Sequence, residues 1–361
     1  MDQVLQKKIL PYKNDDYDLK LSYSGLEMFS QCPYRYSIKY NRGLFSQEQT
    51  IALEVGSICH KILELKADAL LKGERVDYQY LETILKNGYI GSNVSNEAKL
   101  LGIEAIQEKY GKDIWLQSED GTLSYEDKLA LFREKVIKEE VPVPNNKSEW
   151  GVKGSEIPFN FIYLVEVPGQ GMKRVLFNGF IDRIDERYDL KKEKTCYRVV
   201  DYKTSKKVYD SRKLATPLQM IIYGLALATE IGELPEEYQY SFILLDAKAS
   251  ACSKGYLKRG LGKLDEYLID LFERKEMNKW DAKGTPLCYW CDYNRQGIVK
   301  DESVMNICEH FCLWKPDKKT FECVEPWNIA EKMKESEKIT EVVSYSIPNN
   351  GAVINGRKFA W

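Results

Sequence analysis

A chain of 361 residues, 43% hydrophobic and 30% charged, with 24 tyrosines and 7 tryptophans, can bury a core of its own and is neither disordered nor fibrous by composition. Its net charge of −2 excludes a global basic field, so any contact with nucleic acid must come from local patches. The opening MDQVLQKKILPYKNDDYDLK lacks the apolar core of a secretory signal and no long apolar run follows, so a cytoplasmic location without membrane partners is expected.

After this polar leader, LSYSGLEMFSQCPYRYSIKY (21–40) predicts a helix, with Ser22 or Ser24 as N-cap, an apolar stripe of Leu26, Phe29, Tyr36 and Tyr40, and a break at Pro33. Residues 52–73 predict a longer amphipathic helix carried by Leu53, Ile58, Ile62, Leu63, Leu65, Leu70 and Leu71 and stopped at Gly73. Two or three further helical segments end near Val141. The pattern then changes to β alternation in EIPFNFIYLVEV, RVLFNGFIDRIDE and TCYRVVDYKTS, which predicts an antiparallel meander. A helix (LATPLQMIIYGLALATEIG), a strand (YQYSFILLD) and a charged helix (LGKLDEYLIDLFERKEMNKW) follow. There is no G-x-x-x-x-G-K-S/T phosphate loop, so no nucleotide-driven motor is encoded.

Chemistry concentrates in Gly179-Phe-Ile-Asp182-Arg-Ile-Asp185 and Val199-Val-Asp201-Tyr-Lys203. Side chains alternate along a strand, so Asp201 and Lys203 share a face, and Asp182 on the neighbouring strand can meet them. An acid and a lysine two residues apart are common on strand surfaces. Here they adjoin apolar runs that predict burial, and buried acids need a partner or a metal. Two carboxylates suit a hard divalent cation such as Mg²⁺ or Mn²⁺, and a lysine beside them can orient or deprotonate water, which is the chemistry of phosphodiester hydrolysis. His60, one of two histidines, lies in the helix 52–73, and Gln219 and Tyr223 share a helix face at i and i+4. Two basic stretches could meet a phosphate backbone: Lys203, Lys206, Lys207, Arg212 and Lys213, and Lys248, Lys254, Lys258, Arg259 and Lys263. The first begins inside the acidic constellation.

Taken in order, LSYSGLEMFSQCPYRY, GSICH, GFIDRID, VVDYKTS and QMIIY resemble the RecB-like branch of the PD-(D/E)XK nuclease superfamily, over roughly residues 21–312. That branch includes AddAB nuclease domains and CRISPR-associated iron-sulfur nucleases. The resemblance implies an α/β fold with a central mixed sheet flanked by helices. It makes Asp182, Asp201 and His60 metal ligands, with the Tyr202 carbonyl as a further one, and Lys203 the catalytic lysine. Gln219 and Tyr223 match its Q-x-x-x-Y motif, which positions substrate or that lysine. Asp185, Arg183 and Glu64 are expected to be supporting or structural. The organisation expected is an N-terminal helical region (1–145), a nuclease core (146–280), a metal or iron-sulfur segment (281–323) and a tail of unassigned role (324–361).

Nine cysteines include a C-x₂-C at Cys288 and Cys291 and a C-x₃-C at Cys308 and Cys312, spacing that alone suggests structural zinc. Cluster-bearing relatives instead take one cysteine from the first helix and three from the C-terminal end. Cys32 matches the first position and Cys288 and Cys291 the next two, implying a 4Fe-4S cluster, with Zn²⁺ as the alternative. Where relatives place the fourth cysteine shortly after the pair, this chain reads DYNRQGIV, which leaves Cys308 or Cys312. Cys59, Cys196, Cys252 and Cys323 belong to no spaced group and are expected to be free thiols.

The function expected is therefore metal-dependent DNA cleavage, exonucleolytic on single-stranded or end-bearing DNA. The setting is repair, recombination or phage DNA metabolism, with DNA and a helicase or recombination protein as partners. A non-catalytic DNA-binding subunit and an RNA-directed nuclease are the alternatives.

Overall fold

The computed structural model describes residues 7–14, 16–44, 50–91, 99–110, 125–205, 208–209, 214, 218–245, 247–251, 254–284, 288, 291–293 and 308, and the strand residues 311–315, 320–324, 352–354 and 357–359. In chain order the elements used below are β1 (Ile9–Pro11), β2 (Leu19–Leu21), α1 (Tyr23–Gln31), α2 (Pro33–Tyr36), α3 (Ile51–Leu71), α4 (Tyr78–Asn87), β3 (Gly88–Ile90), β4 (Lys99–Leu101), α5 (Ile103–Tyr110), α6 (Tyr125–Lys138), β5 (Gly151–Val167), β6 (Gly171–Asp189), β7 (Lys194–Lys203), α7 (Leu218–Ile231), β8 (Glu237–Phe242), β9 (Ala247–Ala251), α8 (Lys254–Met277), β10 (Phe311–Lys315) and β11 (Thr320–Val324). Two compact units divide the chain, one comprising Met1–Tyr23 and Ile51–Asp270, the other Ser24–Thr50 and Leu271–Trp361.

The first unit is built on a seven-stranded mixed sheet in the order β1-β5-β6-β7-β8-β9, with β2 pairing in parallel with β6. Strands β5, β6 and β7 form the expected antiparallel meander. Helix α7 then carries the chain to β8, which joins β7 in parallel. The sheet is larger than the meander alone because β1, β2 and β9 lie in stretches too short for alternation to reveal. Both faces of its centre are covered: Phe161, Ile162 and Tyr163 of β5 and Val175, Leu176 and Phe177 of β6 are all buried, as continuous apolar runs in a doubly covered strand require. Helix α7 is buried continuously from Met220 to Ala228, and it lies so close to β8 that a Cβ on Gly224 would collide with Tyr238 Oη. Only glycine fits there.

Against the sheet, Val55, Ile58, Ile62 and Leu63 of α3 join Leu81, Ile84 and Leu85 of α4, Ile103 and Ile106 of α5, Phe132 and Val136 of α6, and Val200, Tyr202 and Ile243 in one apolar cluster. Each such side chain contributes about 1.5–3 kcal/mol on full burial. Lys66 of α3 is buried among them, and its Nζ donates to Ile137 O at 2.9 Å and Glu139 O at 2.7 Å. It thereby satisfies carbonyls at the end of α6, where a cation is favoured.

In the second unit the predicted helix 21–40 is broken. Helix α1 ends at Gln31, Cys32 caps α2 by accepting from Arg35 N–H, Pro33 takes the first helical position, and a π-helical turn closes Ser37–Asn41. Residues from the two ends of the chain pair here: Lys283 Nζ donates to Ser30 O at 3.1 Å and Tyr293 Oη to Leu44 O at 2.7 Å. Strands β10 and β11 form a hairpin in which Cys312 pairs with Cys323 by register.

Candidate active site

Three strands and two helices of the first unit converge on one polar centre. Antiparallel pairing of β6 with β7 runs through Arg183 and Val200, so the next positions, Asp182 and Asp201, stand side by side. Asp182 Oδ2 accepts the Tyr202 backbone N–H at 2.8 Å, which fixes its carboxylate. Asp201 is 0% exposed; Oδ2 lies 2.5 Å from Lys203 Nζ, while Oδ1 has no hydrogen-bond partner among the described residues. Burial pushes the carboxyl groups of both Asp182 and Asp201 upward; each also feels positive Lys203 and His60, which pull the other way.

The lysine is itself held. Lys203 Nζ donates to Gln219 Oε1 at 3.0 Å, and Gln219 Nε2 donates to Tyr223 Oη at 3.0 Å. The i and i+4 positions on α7 thus form a relay that aims the lysine at Asp201. Burial opposes the charge on Lys203, but Asp201 and the neighbouring Tyr209 and Asp182 hold its pKa above the ordinary lysine value. It is therefore a fixed positive charge. Tyr240, opposite Asp201 in the parallel pair β7/β8, places its ring 5.8 Å from Lys203 Nζ, a cation–π contact.

His60 of α3 reaches the same centre, with Nδ1 3.6 Å from Asp182 Oδ2 and 3.6 Å from Glu156 Oε1. Burial disfavours its charged form, yet Asp182, Glu156 and Asp201 together raise its pKa to about 9. A field that draws a proton onto His60 also draws a divalent cation, and His60, Glu156 and Asp182 place one ligand atom each within 4.8 Å of one another. The donor set of imidazole nitrogen and carboxylate oxygens, with an unengaged buried oxygen on Asp201 beside it, fits such an ion.

Glu156 was not among the residues expected here. Its neighbours Ser155 and Ile157 pair with Arg183 and Ile181, so it stands across from Asp182. Its φ is +46°. Glu193 and Asn278 also have positive φ, but one sits in the turn between β6 and β7 and the other just beyond the end of α8. Glu156 alone adopts this conformation inside the sheet, where it costs on the order of 1–3 kcal/mol. A bulge at Val152/Gly154 lies just upstream, and bulges re-aim side chains near sites.

Arg183 and Asp185, whose roles were left as supporting or structural, form a buried ionic core. Asp185 is 0% exposed and receives Arg183 Nε at 2.9 Å and Arg198 Nη2 at 2.7 Å. Arg183 Nη1 also donates to Tyr202 Oη at 2.6 Å. Glu64 pairs with Lys61 at 2.7 Å. Of the basic stretches, residues 206–207 and 212–213 lie outside the described residues, and Lys248 pairs with Glu140 at 3.3 Å.

The second unit gathers the cysteines. Cys291 and Cys308 pack against Ile38 and Tyr293, and Cys308 N–H donates to Tyr293 O at 2.8 Å. Burial raises the Cys291 thiol to about 11, and neighbouring Cys288 and Cys32 add to the rise, so these three sulfurs share one environment. Cys59 and Cys196 are free and buried, as expected. The side chains of Cys252, Cys312 and Cys323 lie outside the described residues.

With this geometry in hand, similar proteins are informative. Among curated proteins, the chain is 28% identical over 237 residues to an ATP-dependent helicase/deoxyribonuclease subunit of Clostridium perfringens, covering 62% of this chain and 19% of that protein. It is 26% identical over 333 residues to the subunit of the same name in Natranaerobius thermophilus, covering 85% and 26%. The chain therefore spans about a fifth to a quarter of these relatives' length. A solved Eubacterium rectale structure overlaps 79% of this chain and 94% of its own at 13% identity and a TM-score of 0.38, too loose a likeness to add weight. A family model described as the PD-(D/E)XK nuclease superfamily matches residues 20–296, a span that contains the whole acidic centre and Cys32, Cys288 and Cys291. The chain belongs to the PD-(D/E)XK nuclease superfamily.

Proposed function

We propose that this chain is a deoxyribonuclease that hydrolyses phosphodiester bonds with Mg²⁺ or Mn²⁺. The observation that carries the reading is the buried Asp201 carboxylate, side by side with Asp182 and locked to Lys203, which Gln219 and Tyr223 hold in turn. Asp182, Asp201 and His60 would hold the ion, with the Tyr202 carbonyl and Glu156 as further ligands. When bound, such an ion neutralises charge developing on the scissile phosphate and acidifies a water. Lys203, kept charged by Asp201, orients the attacking water and stabilises the anionic phosphate; Gln219 and Tyr223 keep it from swinging away. The relatives' name points to DNA as substrate and to a helicase as partner, with cleavage at single-stranded or end-bearing DNA in repair or recombination. Incubating matched DNA and RNA strands with Mg²⁺ or Mn²⁺ tests the substrate: DNA is cut and RNA is not. Preferential cutting of RNA would overturn this part of the reading.

Strain at Glu156 gives the metal site an unusual signature. In Glu156→Gly the metal-free protein should gain about 1 kcal/mol of stability, because glycine adopts positive φ freely, while Mn²⁺ affinity falls. Urea unfolding in EDTA and calorimetric Mn²⁺ titration read the two separately; unchanged Mn²⁺ affinity would exclude Glu156 as a ligand.

Cys32, Cys288, Cys291 and Cys308 are proposed to hold a 4Fe-4S cluster, with zinc as the alternative. The packing of Cys308 beside Cys291 favours it over Cys312 as fourth ligand. Cys32→Ser should empty the site and lower the melting temperature. Iron, acid-labile sulfide and zinc contents equal to wild type would remove Cys32 from the set.

A further inference from the structure

A cavity of about 410 Å³ opens on the first unit, lined among others by Trp150, Arg183, Arg198, Gln239 and Lys248. It lies apart from the acidic centre. Asp185 pairs with Arg198, Arg183 with Val200, Val200 with Gln239, and Tyr202 with Ser241, which pairs in turn with Lys248. Paired residues point to one face, so these lining residues occupy the face opposite Asp201 and Lys203. The volume falls in the range that takes small organic groups.

Gln239 is 7% exposed, and its shielded Oε1 has no hydrogen-bond partner among the described residues. A buried acceptor left in that state is destabilising unless a donor arrives. Trp150 forms a flat wall, stiffened by Arg187 and Arg198, whose guanidinium carbons lie 4.6 Å and 4.7 Å from its ring centre. The charges here do not suit a phosphate. Arg183 and Arg198 are both committed to buried Asp185, and Glu140 and Glu149 add negative charge to the lining. What fits is a neutral, planar group that donates a hydrogen bond.

We propose that this cavity receives a nucleobase bearing an exocyclic amino group, adenine or cytosine, whose N–H donates to Gln239 Oε1, as amide side chains read adenine. The proposal rests on the nucleic-acid substrate argued above, but base preference and cleavage are read independently. Adenine and cytosine homopolymer oligonucleotides should bind the wild-type protein in EDTA at least about fivefold more tightly than thymine ones, measured by fluorescence anisotropy. Gln239→Leu should level these affinities without lowering the melting temperature, because it removes an unsatisfied buried acceptor, and metal-dependent cleavage should persist. Trp150→Ala should weaken the adenine and cytosine strands selectively. Competition by free dAMP would assign the cavity to mononucleotides, and its failure to compete would assign it to a base carried on a strand. Equal affinity for all three homopolymers in the wild type, or a preference unchanged in Gln239→Leu, overturns the proposal. Loss of base preference with intact cleavage would leave the nuclease reading standing, and the reverse result would leave the cavity standing.

Discussion

Replacing Asp185 with alanine should cost about 3–5 kcal/mol of folding stability, the typical penalty for breaking a buried ion pair from one side. The carboxylate is the counter-charge for two guanidinium groups. One of them, Arg183, is 1% exposed, and it has no acidic partner to replace Asp185 among the described residues. Its other contacts, Tyr202 Oη and Glu140 O, are neutral acceptors that do not balance its charge. Asp182, three residues earlier in the same motif, should behave in the opposite way. Asp182→Asn can still accept from Tyr202 N–H, so the fold survives while cleavage is lost. Urea unfolding of both variants checks the contrast. Wild-type stability in Asp185→Ala would mean that the buried ionic core is dispensable.

The second large effect is expected at Asp201. Asp201→Asn should lower cleavage on the order of 10³-fold or more, since the charge stabilisation that a metal site supplies amounts to several kcal/mol. Stability should move little in the metal-free state. The substitution relieves repulsion between two buried carboxylates but deprives Lys203 of its ion pair, and the two changes oppose each other. The diagnostic is linkage: Mn²⁺ should raise the wild-type melting temperature, as any ligand selective for the folded state does, and leave Asp201→Asn unmoved. A Mn²⁺-dependent rise of equal size in both would place the ion elsewhere.

Much of this centre could be read before any coordinates. Strand alternation put Asp201 and Lys203 on one face, hairpin pairing brought Asp182 beside them, and the i, i+4 spacing of Gln219 and Tyr223 anticipated the relay to Lys203. Each of these follows from local periodicity, which sequence displays directly. His60 entered only through family resemblance, because nothing on an amphipathic helix marks one residue as facing an acid across the fold. Glu156 escaped notice for a different reason. Its place in the centre depends on a left-handed backbone inside a strand, and the two-residue period carries no information about φ. Tyr240 reaches Lys203 through a parallel register set by the crossover, a long-range pairing that no local pattern specifies. The short strands β1, β2 and β9 exist only because longer neighbours offer them an edge. Cys308 lies beside Cys291 across an intervening segment whose length says nothing of where it returns.

The central claim is tested most directly by the rate of cleavage of end-labelled single- and double-stranded DNA with Mg²⁺, Mn²⁺ or EDTA, comparing wild type with Lys203→Ala. The account predicts cleavage by the wild type that requires the divalent ion and is lost in the variant. Ion-dependent cleavage that proceeds at the wild-type rate in Lys203→Ala, or no cleavage of either DNA by the wild type under any of these conditions, would contradict it.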